Sequence, residues 1–203
     1  MGTLMAAFDC GKRGVTAMKR KRIRLGVLVL TTALAVNLDV VADASTATPF
    51  GTSRWRQPSV TYVINGSSYD RYIYNVAIRA WNATGTFRFV PGSNSHHQLN
   101  LTASDATTGP YHLLAGITYT SGPRNGYYTQ AKVLLLAKNM TDYHYSTSNE
   151  IHVAEHELGH AMGLQHSTAR NSVMLANNRY NGISGSDSYA VWRRYRTPVG
   201  RHS

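Results

Sequence analysis

Residues 153–167 read VAEHELGHAMGLQHS, a run in which histidine recurs after four and then six residues. The first part of the run is predicted to be a helix, and residues four apart on a helix share one face. His156 and His160 can therefore direct both imidazole rings at a single metal ion. Neutral imidazole is a common zinc ligand, and a catalytic zinc takes three protein ligands, which makes His166 the candidate third ligand.

Glu157 and Gly163 occupy the other two fixed positions of this pattern. Glu157 follows the first histidine directly, where its carboxylate can take a proton from a water molecule that zinc has acidified. Gly163 stands three residues after His160, where glycine can adopt the backbone conformation that ends a helix. Without that turn, a straight helix would carry His166 too far along its axis. The alternative, a helix with incidental surface histidines, requires five matching positions to coincide by chance.

The sequence after this pattern excludes another zinc-peptidase arrangement, in which a downstream Glu is the third ligand. No Glu follows Glu157. Asp187 is a downstream carboxylate, but it stands three residues after Ser184 in the spacing that caps a helix, which explains it more simply. We therefore expect one catalytic zinc, held by three histidines.

The chain after residue 45 predicts one α+β domain with a mixed sheet of about five strands. Residues 46–57 form an arm in which Pro49 and Gly51 discourage regular structure. Strands are predicted at residues 59–64 and 86–90, around Leu99 and Leu101, and at residues 113–120 and 131–137. Helices are predicted at residues 70–84, from Thr147 through the histidine pattern, and at about residues 187–195.

Polar side chains near the start of each predicted helix have the spacing of helix caps. The candidates are Ser68 or Asp70 for the first helix, Thr147 with Glu150 for the second, and Ser184 with Asp187 for the third. Gly85 stands where the first helix should end. The nearly continuous apolar run over residues 131–137 also predicts a central, buried strand.

The spacing HExxHxxGxxH at residues 156–166 is that of the metzincin zinc peptidases. Residues 153–167 resemble the active-site helix of the matrixins, the matrix-metalloproteinase-like branch, most clearly in Ser167 directly after the third histidine. Residues 172–174, Ser-Val-Met, resemble the Met-turn of that branch. Including the closing helix, the resemblance extends over nearly all of residues 54–195.

This resemblance implies a single metzincin-like catalytic domain at residues 45–203, with an active-site helix, a Met-turn and a C-terminal helix. It implies a zinc-dependent endopeptidase that acts on extended polypeptides. The residues that it implies for the site are His156, His160 and His166 as metal ligands, Glu157 as the catalytic residue, Gly163 as the turn, and Met174 as an apolar floor. It also implies that the strand at 113–120 borders the cleft and that the loop from Leu175 to Gly182 walls the pocket beside the zinc.

The sequence departs from vertebrate-type matrixins in two respects. Those proteins carry a cysteine-bearing propeptide that plugs the zinc, and we expect no such segment between Ala44 and the catalytic domain. Residues 92–130 also lack the His-x-Asp pattern and the acidic runs that bind a second zinc and calcium in those proteins, so the sequence supports neither a second zinc site nor a calcium site. His152 is interpreted as a neighbour of the ligands. The residues that could form a second site are better interpreted as solvated; they are His96, His97, Asp105, His112 and His144.

The first 44 residues are predicted to be an N-terminal extension with a signal peptide. A positive block at residues 19–24 precedes an apolar run from Leu25 to Leu38, and Ala42-Asp43-Ala44 has the small-x-small pattern of a cleavage site. We expect translation to start at Met18 and cleavage to follow Ala44. The apolar run is shorter than the roughly 20 residues of a membrane span, so the alternative is an uncleaved N-terminal anchor.

The charge of the chain bears on its partners. The whole chain carries +11 and residues 45–203 keep +7, with the basic residues scattered along the sequence. Scattered charge argues against nucleic acid but allows an anionic cell-surface polymer as a partner. Cys10, the only cysteine, precedes the predicted cleavage site, and we expect a secreted monomer.

Two other functions remain open from the sequence. One is a zinc-bearing adhesion module without activity, although such a module would not need Glu157. The other is hydrolysis of cell-wall peptides in place of proteins, which the basic charge permits.

Overall fold

The computed structural model describes residues 3–5, 47–121 and 125–203, with only the backbone described for residues 3–5. Of the predicted N-terminal extension, only residues 3–5 are described, and Cys10, Met18, the apolar run and the predicted cleavage site lie outside the described residues. Within the described part of the chain, no helix is both long enough and apolar enough to cross a membrane.

A mixed sheet forms one layer of the domain. In chain order its strands are β1 (Thr3–Met5), β2 (Ser59–Asn65), β3 (Arg88–Pro91), β4 (Leu99–Ser104), β5 (Gly116–Thr120) and β6 (Ala131–Leu136). Five of them lie between residues 59 and 136, as the sequence predicted, and the short strand β1 pairs with β5. The strand order in the sheet is β1-β5-β6-β4-β2-β3, with β5 antiparallel to both neighbours and the other pairings parallel.

Helices complete the α+β architecture. The described residues form α1 (Ser68–Ala83), α2 (Ala137–Asp142), α3 (Thr147–Ala161) and α4 (Gly185–Arg194), with a short 3₁₀ turn at Gly109–Tyr111. The buried side chain of Trp81 on α1 joins that helix to α3, because its indole Nε1 donates a hydrogen bond of 2.8 Å to the carbonyl oxygen of Glu155. Helix α3 is therefore held on two sides, by α1 and by the sheet.

Strand β6 is buried on both faces, which explains its continuous apolar sequence. Val133 and Leu135 point into the main core, which lies between the sheet and the helices. Leu134 and Leu136 point to the other face, where they pack in a smaller cluster that includes Ile117. The prediction of a central, buried strand is confirmed.

The predicted cap of α3 is wrong by one residue. The cap is Ser146, whose hydroxyl accepts from the backbone N–H of Asn149, while the Asn149 side chain accepts from the backbone N–H of Ser146. The side-chain amide of Asn149 therefore completes the capping box, for which the sequence predicted Thr147 with Glu150. Both pairs have the same spacing, and the hydrogen bonds alone distinguish them.

Of the other two predicted helix caps, that of α1 is shifted by one residue and that of α4 is confirmed. Helix α1 is capped by Ser67 with Asp70, so neither Ser68 nor Asp70 is itself the cap residue. Ser184 and Asp187 form the predicted box before α4, which starts at the next residue and thus two residues earlier than expected.

The predicted strand at 113–120 is also too long. Leu113 has a φ of 64°, in the left-handed region that L residues rarely adopt, so the chain turns there and β5 begins only at Gly116. Strand β3 begins two residues later than predicted. After β6 the chain turns directly into α2. The pattern of apolar residues did not predict this short helix.

Candidate metal centre

Helix α3 carries the first two histidines into the interior. His156 and His160 lie four residues apart on this helix, and both are buried. His166 follows the helix, with its ring centroid 5.3 Å from that of His156 and 5.0 Å from that of His160. One ligand nitrogen from each residue lies within 4.8 Å of the others. The fold thus brings together all three predicted ligands.

Gly163 ends α3 and returns the chain toward the site. Its φ of 103° lies in the region that favours glycine. The N–H of Gly163 donates to the carbonyl of His160 at 2.9 Å and that of Leu164 to the carbonyl of Gly159 at 3.0 Å, which together form a Schellman motif. A Cβ at position 163 would also lie 2.9 Å from the carbonyl oxygen of Ser53. Conformation and space both require glycine here.

Backbone carbonyls orient two of the imidazole rings. His156 Nδ1 lies 2.7 Å from the oxygen of Val173, and His160 Nδ1 lies 2.9 Å from the oxygen of Leu164. A carbonyl only accepts, so each Nδ1 carries the proton and each neutral ring keeps its lone pair on Nε2. These two Nε2 atoms lie 3.0 Å apart, an arrangement that a shared cation stabilises.

The third ligand fits the same cation. His166 Nε2 is buried and has no hydrogen-bond partner among the described residues. An unpaired buried nitrogen costs free energy unless a ligand takes its lone pair. Three imidazole nitrogens are a usual set for a catalytic zinc, because they leave a coordination position for water or substrate.

Burial keeps the three rings neutral. It lowers the pKa of His156 well below the usual value, with the charge of His160 as the next cause. Burial lowers the pKa of His160 to about 4, and it also lowers that of His166. Neutral imidazole is the form that binds a metal, so the site does not need to release protons from these rings near pH 7.

Glu157, the residue after His156, is fully buried, and its side chain contacts β5. The hydroxyl of Thr118 lies 2.7 Å from Glu157 Oε2 and 2.9 Å from the Glu157 carbonyl oxygen. A Cβ at Gly116 would lie only 2.7 Å from Glu157 Cγ, so glycine there makes room for the carboxylate arm. Glu157 Oε1 is buried and has no partner among the described residues. Neither contact residue on β5 was identified from the sequence.

The pKa of Glu157 reflects this dry surrounding. Burial raises it to about 8, and the hydrogen bond from Thr118 acts in the opposite direction. A nearby cation would also lower the pKa of Glu157, because an opposite charge favours the ionised form. The protonation state of Glu157 therefore depends on its burial, on the hydrogen bond from Thr118 and on the metal.

Met174 packs against the underside of α3. Its sulfur occupies the space beside Gly159, where a Cβ would lie 2.3 Å from Met174 Sδ. The methionine is fully buried, and Trp81 of α1 also approaches Gly159. The buried thioether of Met174 thus contacts α3 between His156 and His160, under the site, where the resemblance implied an apolar residue.

Asp187 connects the ligand-bearing loop to two other parts of the chain. This fully buried carboxylate accepts hydrogen bonds from the hydroxyls of Thr48 and Ser172 and, at 2.9 Å, from the backbone N–H of Val173. The carbonyl of Val173 in turn accepts from His156. The spacing after Ser184 revealed the capping role of Asp187, but its partners in the arm and the loop left no local signal in the sequence.

The remaining candidate ligands do not assemble. Among the described residues, the triad is the one group of three or more potential ligands close enough to share an ion. His96 and His97 instead contact neighbouring serines in the turn before β4. His152 lies one turn before His156 and pairs with Glu155, which the sequence did not suggest.

A family model described as matrixin, peptidase M10, matches residues 54–195. The chain is a matrixin. The match covers the same residues as the resemblance inferred from the sequence, and it makes the protein a zinc-dependent metallopeptidase whose substrates are polypeptides. Zinc is the catalytic metal of the family, and the three-histidine cluster suits it. No curated protein sequence matches this matrixin.

Replacement of Asp187 should weaken zinc binding in this matrixin. Asp187→Asn keeps the size of the side chain but replaces one acceptor oxygen by an NH2 group, which donates and so repels groups that also donate; this releases Val173 and, through it, His156. Loss of such outer contacts typically lowers metal affinity about 10- to 100-fold. Zinc affinity measured by chelator competition should fall by that amount, while Asp142→Asn on the surface should not change it.

If Asp187→Asn fails to fold, Ser172→Ala removes one of the same hydrogen bonds more gently and should give a smaller loss. Unchanged zinc affinity in a folded Asp187→Asn protein would show that His156 is oriented without this carboxylate.

Proposed function

We propose that this matrixin is a secreted metalloendopeptidase in which His156, His160 and His166 hold zinc and Glu157 is the general base. The observation that carries the proposal is the buried carboxylate of Glu157, the residue after the first histidine of the triad, with Oε2 held by Thr118 and Oε1 without a partner among the described residues. A carboxylate without a chemical task would rarely be buried on the same helical turn as two neutral imidazoles.

The residues of the chain account for the proton movements of peptide hydrolysis. When bound, zinc supplies a Lewis acid that polarises the substrate carbonyl and acidifies a water molecule. Glu157 Oε1 takes one proton as the water oxygen adds to the carbonyl carbon. As the carbon–nitrogen bond breaks, the same carboxyl group passes that proton to the leaving amine. Thr118 keeps Oε2 in place, so that Oε1 is the oxygen that exchanges the proton.

We also propose that residues 1–44 form an extension that is removed on export, which leaves residues 45–203 as the catalytic domain. The positive block, the apolar run and the Ala-x-Ala site support this, and matrixins are typically extracellular. N-terminal sequencing of the exported protein should begin at Ser45. A first residue at Met1 or Met18 would show that the extension is retained.

The catalytic role of Glu157 can be tested with a matched pair of variants. Glu157→Gln keeps the shape of the side chain but cannot accept a proton, so kcat/KM on a fluorogenic peptide library should fall about 10²- to 10⁴-fold. Bound zinc should stay at the wild-type level. Glu150→Gln, on the same helix but away from the triad, should retain activity.

Two outcomes of this comparison would contradict the proposal. Equal activity of the wild type and Glu157→Gln would exclude Glu157 as the base. If both proteins bind zinc and neither cleaves any library peptide, cell-wall peptides become the next substrates to test, and a binding role follows if those are also intact.

The pH dependence of activity should respond to Thr118. Its hydroxyl stabilises the ionised form of Glu157 and so lowers the pKa, which means that Thr118→Val should raise it. Because the base must be deprotonated, the acidic limb of the kcat/KM profile should move to higher pH, by about one unit for a hydrogen bond to a charged group.

Thr120→Val is the control for this shift. Thr120 lies two residues further along β5 and is buried, and its hydroxyl has no partner among the described residues. Its replacement should leave the acidic limb unchanged. A profile that is identical in Thr118→Val and wild type would mean that Thr118 does not set the pKa of the base.

A further inference from the structure

The outer face of α4 carries two aromatic side chains that are exposed to solvent. Tyr189 and Trp192 are 52% and 40% exposed, and they lie three residues apart on the helix. Their ring centroids are 5.5 Å apart and the ring planes differ by 16°, so the two rings stack. Aromatic residues and arginine are the residue types most enriched where proteins bind partners, so the residues around this pair are of interest.

Arg196 extends the stack by a cationic group. Its guanidinium carbon lies 4.1 Å from the centroid of the Trp192 ring, and Nη1 donates to the carbonyl of Trp192 at 3.4 Å. The spacing of three and then four residues places Tyr189, Trp192 and Arg196 on one side of the helix. We call these three residues the α4 stack. It combines an apolar ring surface with a positive charge at one end.

The other end of the α4 stack is open. Gly185 lies four residues before Tyr189, which is about one helical turn, and it is exposed. Nothing lies within 4 Å of the position that a Cβ would take at Gly185. A side chain at this position could cover the ring of Tyr189, and glycine supplies none. A flat molecule of about the size of a ring can therefore lie against Tyr189.

The opposite face of α4 packs against the rest of the domain. Asp187, Ala190, Val191 and Arg194 are buried there. The guanidinium of Arg194 donates to backbone carbonyls of the arm and of the segment after α4, so this arginine has a structural task. The α4 stack takes no part in that packing. Its side chains can be replaced without removing a buried contact of the core.

The charge around the α4 stack is positive. Residues 188–203 include four arginines and neither Asp nor Glu. The arm at residues 46–57 contacts this segment, for example where the N–H of Gly200 donates to the carbonyl of Thr52 at 2.9 Å, and it contains two arginines and no acidic residue. Such a field attracts an anionic partner and repels a cationic one.

The exposed tyrosines of α1 lie in a different electrostatic environment. Tyr69 and Tyr72 are 47% and 51% exposed, so their exposure is similar to that of the α4 pair. Asp70 lies between them in the sequence, and Glu150 acts electrostatically on Tyr69. Arg71 also lies between them, but it donates to the carbonyl of Ile64. Helix α1 thus exposes aromatic rings without an excess of positive charge, which makes it a suitable control.

A ring surface beside an arginine suits a polymer of sugar rings that carries acidic groups. The negative face of an aromatic ring attracts the C–H groups on one side of a saturated ring. The guanidinium group binds carboxylate or sulfate oxygens through paired hydrogen bonds. Surfaces for single-stranded nucleic acid instead stack successive bases on several aromatic rings, whereas Trp192 already contacts Tyr189 and Arg196.

We propose that Tyr189, Trp192 and Arg196 form a docking surface for an anionic polysaccharide, a chain of sugar rings that carry carboxylate or sulfate groups. A sugar ring lies against Tyr189, and an acidic group of the same chain binds Arg196. The α4 stack contributes no metal ligand and no group that moves a proton. This binding is therefore a property of the protein in addition to the proposed peptidase function, and it does not rest on it.

The experiment measures the Kd of the full chain for defined polymers by isothermal titration calorimetry at low ionic strength. Wild type should bind oligogalacturonate, which carries carboxylates, and dextran sulfate, but not uncharged dextran. Tyr189→Ala should weaken binding about 2- to 10-fold, the range for loss of one aromatic contact. Arg196→Gln should weaken it about two- to fivefold, as expected for an exposed ion pair. Tyr72→Ala and Arg79→Gln on α1 should leave Kd unchanged.

A further variant adds a charge and removes none of the three residues. Gly185→Glu places a carboxylate beside the open end of the α4 stack, and an acidic residue in the first turn of a helix is favourable for folding. It should weaken binding of dextran sulfate at least as much as Arg196→Gln does. If Tyr189→Ala does not fold, this variant still decides whether the polymer binds at α4.

Four results would overturn the proposal. They are absence of binding to both anionic polymers, an unchanged Kd in Tyr189→Ala and Arg196→Gln, binding to polyglutamate as tight as to oligogalacturonate, and tighter binding of single-stranded DNA than of either polysaccharide. Polyglutamate carries the charge without sugar rings, so equal binding would leave the rings no role. Cleavage of the fluorogenic peptides is a separate readout, and all of the α4 variants should retain wild-type kcat/KM.

Discussion

The hydrogen bond from His156 Nδ1 to the carbonyl oxygen of Val173, 2.7 Å long, links the helix that carries the ligands to the loop that follows them. It sets the tautomer of the first histidine of the triad. Val173 is held in turn by Asp187, and Asp187 by the arm and the start of α4. The metal centre therefore depends on parts of the chain that contribute no ligand.

Three buried carboxylates surround this centre in a chain of positive net charge, and their partners separate their tasks. Asp187 accepts hydrogen bonds from hydroxyls and backbone N–H groups, as a structural anion does. Glu157 has one hydroxyl partner and one oxygen without a partner among the described residues, which suits a group that exchanges a proton. Glu155 is paired with the partly accessible imidazole of His152. Burial is common to all three, so the partners distinguish their roles.

Much of the architecture could be predicted because it depends on local spacing. Residues four apart share a helix face, and glycine after α3 permits a left-handed turn, so the triad can be predicted from the sequence alone. The central position of β6 followed from its apolar run. The caps of α1 and α3 were missed by one residue because neighbouring polar residues satisfy the same spacing rule. The early turn at Leu113 was missed because a left-handed leucine leaves no sign in the sequence.

The sequence by itself determined the three-histidine cluster, the order of the main helices around it and the matrixin family, since each depends on residue type at short range. The tertiary structure alone decided which groups from distant segments reach the site. Thr118 and Gly116 come from β5 and Thr48 from the arm, and none has a fixed distance in sequence from its partner. Contacts of this kind arise when the elements pack against one another, and packing depends on the whole chain.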